Sequence, residues 1–402
     1  MPAKVVGKMK DFLAKRMSRM GESATLKAME IATRLKAQGV DIISFNVGEP
    51  DFPTPMHIIK AAEKAMESGM THYTPSGGIP ELRDAVAEKC KRDNKIPCEP
   101  SNVIVSTSKF CLFATVMSLV DDGDEVIVPE PSWGSYVDMI GLAGGKVKHT
   151  GLRGDDNFRL RPEAVAELIT PKTKLIFLNS PCNPTGGIIK KEDMKGIVDL
   201  AIDHDFVVLS DEVYEHIIYE GEHVSPASFP GAFDHTITVN GFSKAYSMTG
   251  WRMGYMLAPK PLFSGIIKMQ QQAVTCAPAF GQKACVTALK DPESKICLAA
   301  MLKEFKERRE VVIKGLNDIE GLKCPKSPAT FYAFPAYDQK IYKKSADEMA
   351  DYMLEEAHVS LTSGRAFGPS GEGCFRLSYS NSMKNINEGL RRIEGALKKL
   401  RK

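Results

Sequence analysis

The chain has 402 residues, 43% of them hydrophobic and 26% charged, with 53 Lys and Arg against 50 Asp and Glu and a formal net charge of +3. These proportions suit a globular protein of two domains, or of one large α/β domain with an appendage, and exclude disordered, collagen-like and coiled-coil chains. So even a charge balance argues against a nucleic-acid partner, which needs a clustered basic face.

Residues 1–20 are basic and mildly amphipathic but lack the apolar run of a signal peptide, and read as an arm or surface helix. No stretch approaches the ~18 consecutive apolar residues of a membrane span, so no membrane association is expected and the expected location is the cytoplasm. Leu26 to Gln38 has the spacing of an amphipathic helix stopped by Gly39, and a second helix is expected from Ile79 to Asp93 with proline in its first turn. β-rich runs then recur at Val103–Ser106, Glu125–Val128, Lys174–Leu178, Phe206–Ser210 and Thr236–Val239, with helical stretches such as Glu192–His204 between them. Continuous apolar strands without polar alternation suit a parallel sheet buried on both faces. The expected fold is therefore α/β, a three-layer α/β/α domain with a mostly parallel central sheet. After about residue 290 the pattern changes to long charged helices, Lys303–Leu316, Ser345–Glu356 and Met383–Leu400, with a few short strands. The expected division is a large domain over 49–289, with the arm 1–48 and a smaller α+β domain over 290–402. The glycines of 364–373 read as a segment that permits movement. The nine cysteines are scattered, odd in number and without a CxxC pair, as for small buried side chains in a reducing compartment.

Walker A, GxGxxG, HExxH and GxSxG signatures are all missing, and the spacing of His216 and His223 matches no zinc site, so no metal is expected. Three polar segments instead follow predicted strands: NSPCNPTG at 179–186, SDEVY at 210–214 and GFSKAYSMTGWR at 241–252. Each has a structural reading of its own, since NPTG is turn chemistry, Asp211 is a capping residue type and Lys244 and Arg252 suit a surface. Ligands of open α/β sheets bind beyond the carboxyl ends of the strands, so three such loops are expected to converge there on one pocket.

In NSPCNPTG, SDEVYEH and GFSKAYSMTGWRMGY the chain resembles the class I aminotransferases, pyridoxal-phosphate enzymes of fold type I, from about Ser23 to the C-terminus. The resemblance implies transfer of an amino group between an L-amino acid and a 2-oxo acid by a ping-pong Schiff-base mechanism. It makes Lys244 the lysine that holds pyridoxal 5'-phosphate and serves as general base, and Asp211 the partner of the pyridine nitrogen. Tyr214 and Asn183 become the partners of the ring hydroxyl, and Trp133 the aromatic group against the ring. Electron withdrawal is the cofactor's contribution, and the protein binds, orients and tunes it. For the phosphate it implies Ser243, Arg252, Ser108 and Lys109, the last two where a strand opens into a helix whose N-terminal amides suit an anion. Gly241 departs from the serine that many members carry three residues before the lysine, a loss expected to weaken phosphate binding slightly. Tyr73 resembles the tyrosine that reaches the phosphate of the neighbouring subunit, implying a homodimer with shared active sites.

Arg376, in CFRLSYS, matches the arginine that grips the substrate α-carboxylate through a planar bidentate contact, and Gly48 approaches the same group. Lys109 and the segment Ser23-Ala24-Thr25 resemble distal-carboxylate contacts of the prokaryotic aspartate aminotransferase branch, so aspartate with 2-oxoglutarate is the expected pair. Aromatic or alanine specificity on the same fold is the alternative. A pyridoxal-phosphate lyase or decarboxylase is a more distant one, and so is a non-enzymatic ligand-sensing domain.

Overall fold

The computed structural model describes residues 12–21 and 24–401. Among them the N-terminal part carries the helices α1 (Ala24–Ala37), α2 (Met56–Glu67) and α3 (Pro80–Asn94), with the short strand β1 (Ile43–Ser44) between the first two. A seven-stranded sheet follows, made of β2 (Val103–Ser106), β3 (Glu125–Glu130), β4 (Lys146–Gly151), β5 (Thr173–Asn179), β6 (Val207–Asp211), β7 (Thr236–Gly241) and β8 (Gly254–Leu257). Its order is β2-β8-β7-β6-β5-β3-β4. Every pairing is parallel except those of β8, which runs against both β2 and β7. Burial of almost every residue of β2, β5, β6, β7 and β8 explains their unbroken apolar character.

The expected elements fall within a few residues of their observed limits, apart from the helix expected over Lys303–Leu316, which starts earlier and runs Pro292–Asn317. Strands β4 and β8 were not legible. The sequence of β4 is KVKHTG, a largely polar edge strand that lacks an apolar run. Strand β8 has only four residues, bounded by Gly254 and Pro259.

One apolar core joins Ile43 and Phe45 to side chains between Met301 and Leu397, while three others lie on the large sheet and its helices. Strand β1 pairs in parallel with Val359–Ser360, and the ring of Phe45 fills the space that a Cβ at Gly389 would need. The segment that follows, 46–51, is thereby carried toward the loop after β7, where Gly48 O accepts from Lys244 Nζ. Arg308 in the long helix fixes its end by an ion pair with Asp51 at 2.7 Å. In the 364–373 segment the glycines serve close packing. A Cβ on Gly364 would strike the backbone of Gly371, and one on Gly368 would strike the Glu130 carboxylate. Among the described residues no helix is long and apolar enough to cross a membrane, and all nine cysteines are unpaired.

Beneath the sheet lies a buried ion pair between Lys89 of α3 and Glu215, just beyond β6. Burial pushes the Lys89 pKa down and that of Glu215 up, but their mutual attraction outweighs it, holding the lysine above and the glutamate below its ordinary value. Asn94 and Asn240 also donate to Glu215, at 2.5 and 2.7 Å, and Asn240 Oδ1 accepts the Gly241 amide at 2.7 Å. His216 and His223 face Glu215 and Glu212, and the Lys89 ammonium fills the position beside Glu215 that a cation would take. Lys89→Met should lower unfolding free energy by about 3–5 kcal/mol, because a buried carboxylate is left uncompensated. Lys89→Met/Glu215→Gln should recover most of the loss in the same urea titration. The Glu215 contribution is present above its ordinary pKa of 4.5 and is lost as the pH falls.

Candidate active site

Loops leaving the carboxyl ends of β5, β6 and β7, which are neighbours in the sheet, meet over a cleft of about 350 Å³. The cleft brings together Gly48, Ser108, Lys109, Trp133, Asn183, Asp211, Tyr214, Ser243, Lys244, Arg252 and Arg376. Tyr73 is not among them and stands 88% exposed. Ser23 lies outside the described residues, as do the side chains of Ala24 and Thr25.

Asp211 is the last residue of β6. Its backbone oxygen accepts from Asn179 Nδ2 at 2.9 Å, while Asn179 Oδ1 accepts the Asn183 amide at 2.7 Å, so the NSPCNPTG loop is folded onto the aspartate. Tyr136 Oη donates to Asp211 Oδ2 at 2.8 Å. Burial pushes the Asp211 carboxyl up to about 6, against the pull of that hydrogen bond. No cation pairs with it among the described residues, so a ligand cation beside it would be stabilised.

Lys244 sits in the loop after β7, donates to Gly48 O at 2.5 Å and lies 5.7 Å from the centre of the Tyr214 ring. Burial lowers its amine to about 8. A substantial neutral fraction near neutrality makes it both a nucleophile and a base.

Tyr214 Oη shares a hydrogen bond of 2.7 Å with Tyr332 Oη, and the Tyr332 ring lies 4.6 Å from the Arg376 guanidinium. A Cβ at residue 48 would come within 2.5 Å of Tyr332 Oη, so in this chain it is the tyrosine that requires glycine there. Arg376 donates to Asn183 Oδ1 at 2.9 Å and to Asn46 O at 2.6 Å, leaving its Nε without a partner. Burial lowers its pKa, and no carboxylate faces it among the described residues. A buried guanidinium in this state favours an incoming carboxylate.

The opposite end of the cleft is the N-terminus of α4 (Ser108–Leu119). Thr107 caps it, its Oγ1 accepting from Phe110 N and its carbonyl from Cys111 N, which leaves the amides of Ser108 and Lys109 without partners among the described residues. Arg252 holds φ at 58°, a left-handed backbone that costs a non-glycine residue about 1–3 kcal/mol. Its Nη1 donates to Thr249 O at 2.7 Å, and the Ser243 hydroxyl lies in the same part of the cleft. Free helix amides with a nearby arginine form an anion site. Lys109 Nζ stands 4.9 Å over the Trp133 ring with no carboxylate partner among the described residues. Its pKa is lowered first by burial, then by Arg252.

Sequence reasoning missed Tyr136, Tyr332 and Asn179. Tyr136 follows Trp133 by three residues at the start of α5 (Ser135–Ala143), and Asn179 opens the loop already singled out. Tyr332 comes from a two-residue strand far along the chain and had no local signal. Together the groups suit an elongated ligand with an anion at α4, a ring cation at Asp211 and a carbonyl at Lys244, beside a second ligand whose carboxylate meets Arg376.

The profile of the family "Aminotransferase class I and II" matches residues 40–393. Aspartate aminotransferase of Pyrococcus abyssi is 40% identical over 96% of this chain and 98% of its own. Aromatic-amino-acid aminotransferase 2 of Thermococcus litoralis is 41% identical over 90% and 93%. The solved aspartate aminotransferase of Thermus thermophilus with maleate superposes with a TM-score of 0.92 at 38% identity, covering 96% of this chain and all (100%) of that one.

Proposed function

Because the chain belongs to the class I and II aminotransferases and is an aminotransferase itself, we propose that it uses pyridoxal 5'-phosphate, held through Lys244, and takes L-aspartate and 2-oxoglutarate as its substrate pair. The observation that carries the reading is one cleft holding a buried amine lowered to about 8 and a buried carboxyl raised to about 6. Two free helix amides at its far end suit a phosphate. When bound, the cofactor supplies an electron sink that weakens the bonds to the amino acid's Cα.

The protein's part follows from its own groups. Once the substrate amine has displaced it from the cofactor, Lys244 Nζ would take the proton from the substrate Cα and return one during transfer, which its lowered pKa favours. Asp211 holds a proton on the ring nitrogen. Asn183 and Tyr214 would hold the ring hydroxyl, Trp133 would support the ring, and Ser243, Arg252 and the α4 amides would hold the phosphate. Arg376 grips the α-carboxylate and thereby orients Cα toward Lys244.

Lys109 selects the distal carboxylate. Support comes from its unpaired ammonium at the cleft and from the dicarboxylate maleate named with the Thermus thermophilus structure. The nearly equal identity to an aromatic-amino-acid relative favours aromatic specificity as the second reading. A homodimer is proposed in which the exposed Tyr73 reaches the phosphate site of the other copy. The division at 49–289 is retained because one apolar core draws most of its side chains from outside that range, with Tyr214 and Ile217 reaching into it, while three others lie within it, and a cytoplasmic location accords with nine unpaired cysteines.

The test is the visible spectrum of the purified protein, titrated separately with aspartate, glutamate, phenylalanine and alanine. Bleaching of the cofactor band by the acidic pair alone supports the reading, whereas bleaching by phenylalanine first overturns the substrate assignment. Lys109→Ala should reduce kcat/KM for aspartate about 10- to 100-fold, the worth of one charge-assisted hydrogen bond, and leave phenylalanine within about twofold. Equal losses on both would remove Lys109 as the selector.

A further inference from the structure

The glycine at 241, expected to leave the phosphate end short of a hydroxyl, has a different origin in the structure. A Cβ built there overlaps Ser108 Oγ and stands 3.2 Å from Met253 O. Ser108 Oγ donates to Asn240 O at 3.0 Å, so its one proton is committed to the strand end and is turned away from any anion. Gly254, directly across on β8, completes the enclosure. A Cβ there would also overlap Ser108 Oγ, and would approach Ser108 N to 2.7 Å and Asn240 O to 2.9 Å. The last two are backbone atoms and cannot rotate aside. Two strand-end glycines and one helix-start serine thus occupy a single steric unit, next to the two free amides of α4.

We propose that the Ser108 hydroxyl is not a phosphate ligand and that Gly241 and Gly254 form a clasp: by leaving a socket for the first residue of α4 they, rather than the hydrogen bond of the Ser108 hydroxyl, set the α4 amides at the distance from β7 and β8 at which they read the phosphate. Gly241 and Gly254 are on this account positioning residues. The proposal rests on the pyridoxal-phosphate reading above. It also gives the two glycines different roles. At 241 the main obstacle to a side chain is the Ser108 hydroxyl itself, and removing that hydroxyl makes room. At 254 the obstacle is backbone, and a side chain there displaces the helix terminus whatever residue stands at 108.

The experiment strips the full-length protein of cofactor and titrates it with pyridoxal phosphate and with pyridoxal, which lacks the phosphate, following the visible absorbance of the lysine adduct. Thermal midpoints are measured alongside. Ser108→Ala should bind pyridoxal phosphate within about threefold of the unaltered protein, whereas a direct charge-assisted ligand would lose about 10- to 100-fold. Gly254→Ala should lose about tenfold or more for pyridoxal phosphate and under about twofold for pyridoxal, a contrast that a general loss of structure would not produce. Gly241→Ala should also weaken pyridoxal phosphate, and Gly241→Ala/Ser108→Gly should restore it. Gly254→Ala/Ser108→Gly should not recover. A loss in Ser108→Ala equal to that in Gly254→Ala would overturn the clasp, as would unaltered affinity in Gly241→Ala or equal weakening of both ligands. If Gly254→Ala does not fold, the Gly241→Ala pair decides alone. An unaltered protein that forms no adduct with either ligand would instead bring down the cofactor reading, and the clasp with it.

Discussion

Lys244→Ala should abolish turnover, with kcat lowered at least about 10⁴-fold, the upper end of what a positioned general acid–base contributes. The visible absorbance of the lysine adduct should vanish with it, because Lys244 supplies the amine that the cleft directs at a carbonyl. The same substitution should raise the stability of the cofactor-free protein at pH 7. Burial holds this amine at about 8, against an ordinary 10.5. Between those values the unfolded chain binds more protons than the folded one, so the unaltered protein gains stability as the pH rises through this window and carries the full penalty below it. Alanine has no such penalty, and the two melting curves should converge above pH 10.5. Calorimetry of the two cofactor-free proteins from pH 7 to 11 would measure this. An unaltered turnover would sink the assignment, whereas a constant stability gap across that range would show that the amine is not perturbed in the folded state.

Asp211→Asn should cost about 10³-fold or more in kcat, an effect of the size seen when one preorganised electrostatic partner is removed from a reacting centre. The variant should still bind the cofactor, since the α4 amides, Arg252 and Lys244 are untouched. The Asp211 carboxyl is raised to about 6 by burial, from 3.8. A raised carboxyl binds protons in the fold first, so its burial destabilises the cofactor-free protein increasingly from about pH 3.8 to 6 and fully above that. Asparagine keeps the acceptor for Tyr136 Oη and removes the charge, and so should melt higher than the unaltered protein at pH 7 without cofactor. With cofactor bound the order should reverse or close up, because the carboxylate then faces a cation. Rapid-quench rates with the cofactor-loaded variant would check the first part. A rate within tenfold of the unaltered protein would mean that another group holds the ring proton.

How far the site could be read from sequence follows from chain distance. Asp211, Lys244 and Arg252 stand in short runs after apolar strands, where strand, loop and chemistry are contiguous, and the structure places them in the same cleft. Arg376 was legible through the flanking residues, although its partners Asn46 and Asn183 are 330 and 193 residues away. Tyr332 and Tyr136 were not legible. Each acts on a residue far along the chain, Tyr214 and Asp211, and an aromatic residue in a buried strand or helix start has the same local pattern whether or not its hydroxyl has a task. In the fold, β8 was hidden because reversal of direction leaves no trace in a four-residue apolar run. The packing role of the 364–373 glycines was hidden for a related reason. Composition records that a Cβ is absent, while the neighbour that requires its absence comes from tertiary packing.

That packing bears on how the protein can be hardened against heat. Replacing loop glycines is a standard route, since it narrows the unfolded ensemble, but at 364, 368 and 371 the gain would be overwhelmed by overlap with neighbouring atoms. Gly265 and Gly395 are different. Both lie on exposed turns of regular helices, Lys260–Ala273 and Met383–Leu400, with nothing within 4 Å of a built Cβ. Alanine is favoured over glycine at such positions by roughly 0.5–1 kcal/mol each. The reserve of stability in this enzyme therefore lies on exposed turns of its outer helices, where a methyl group meets no neighbour and can be added without altering the spacing of the catalytic groups.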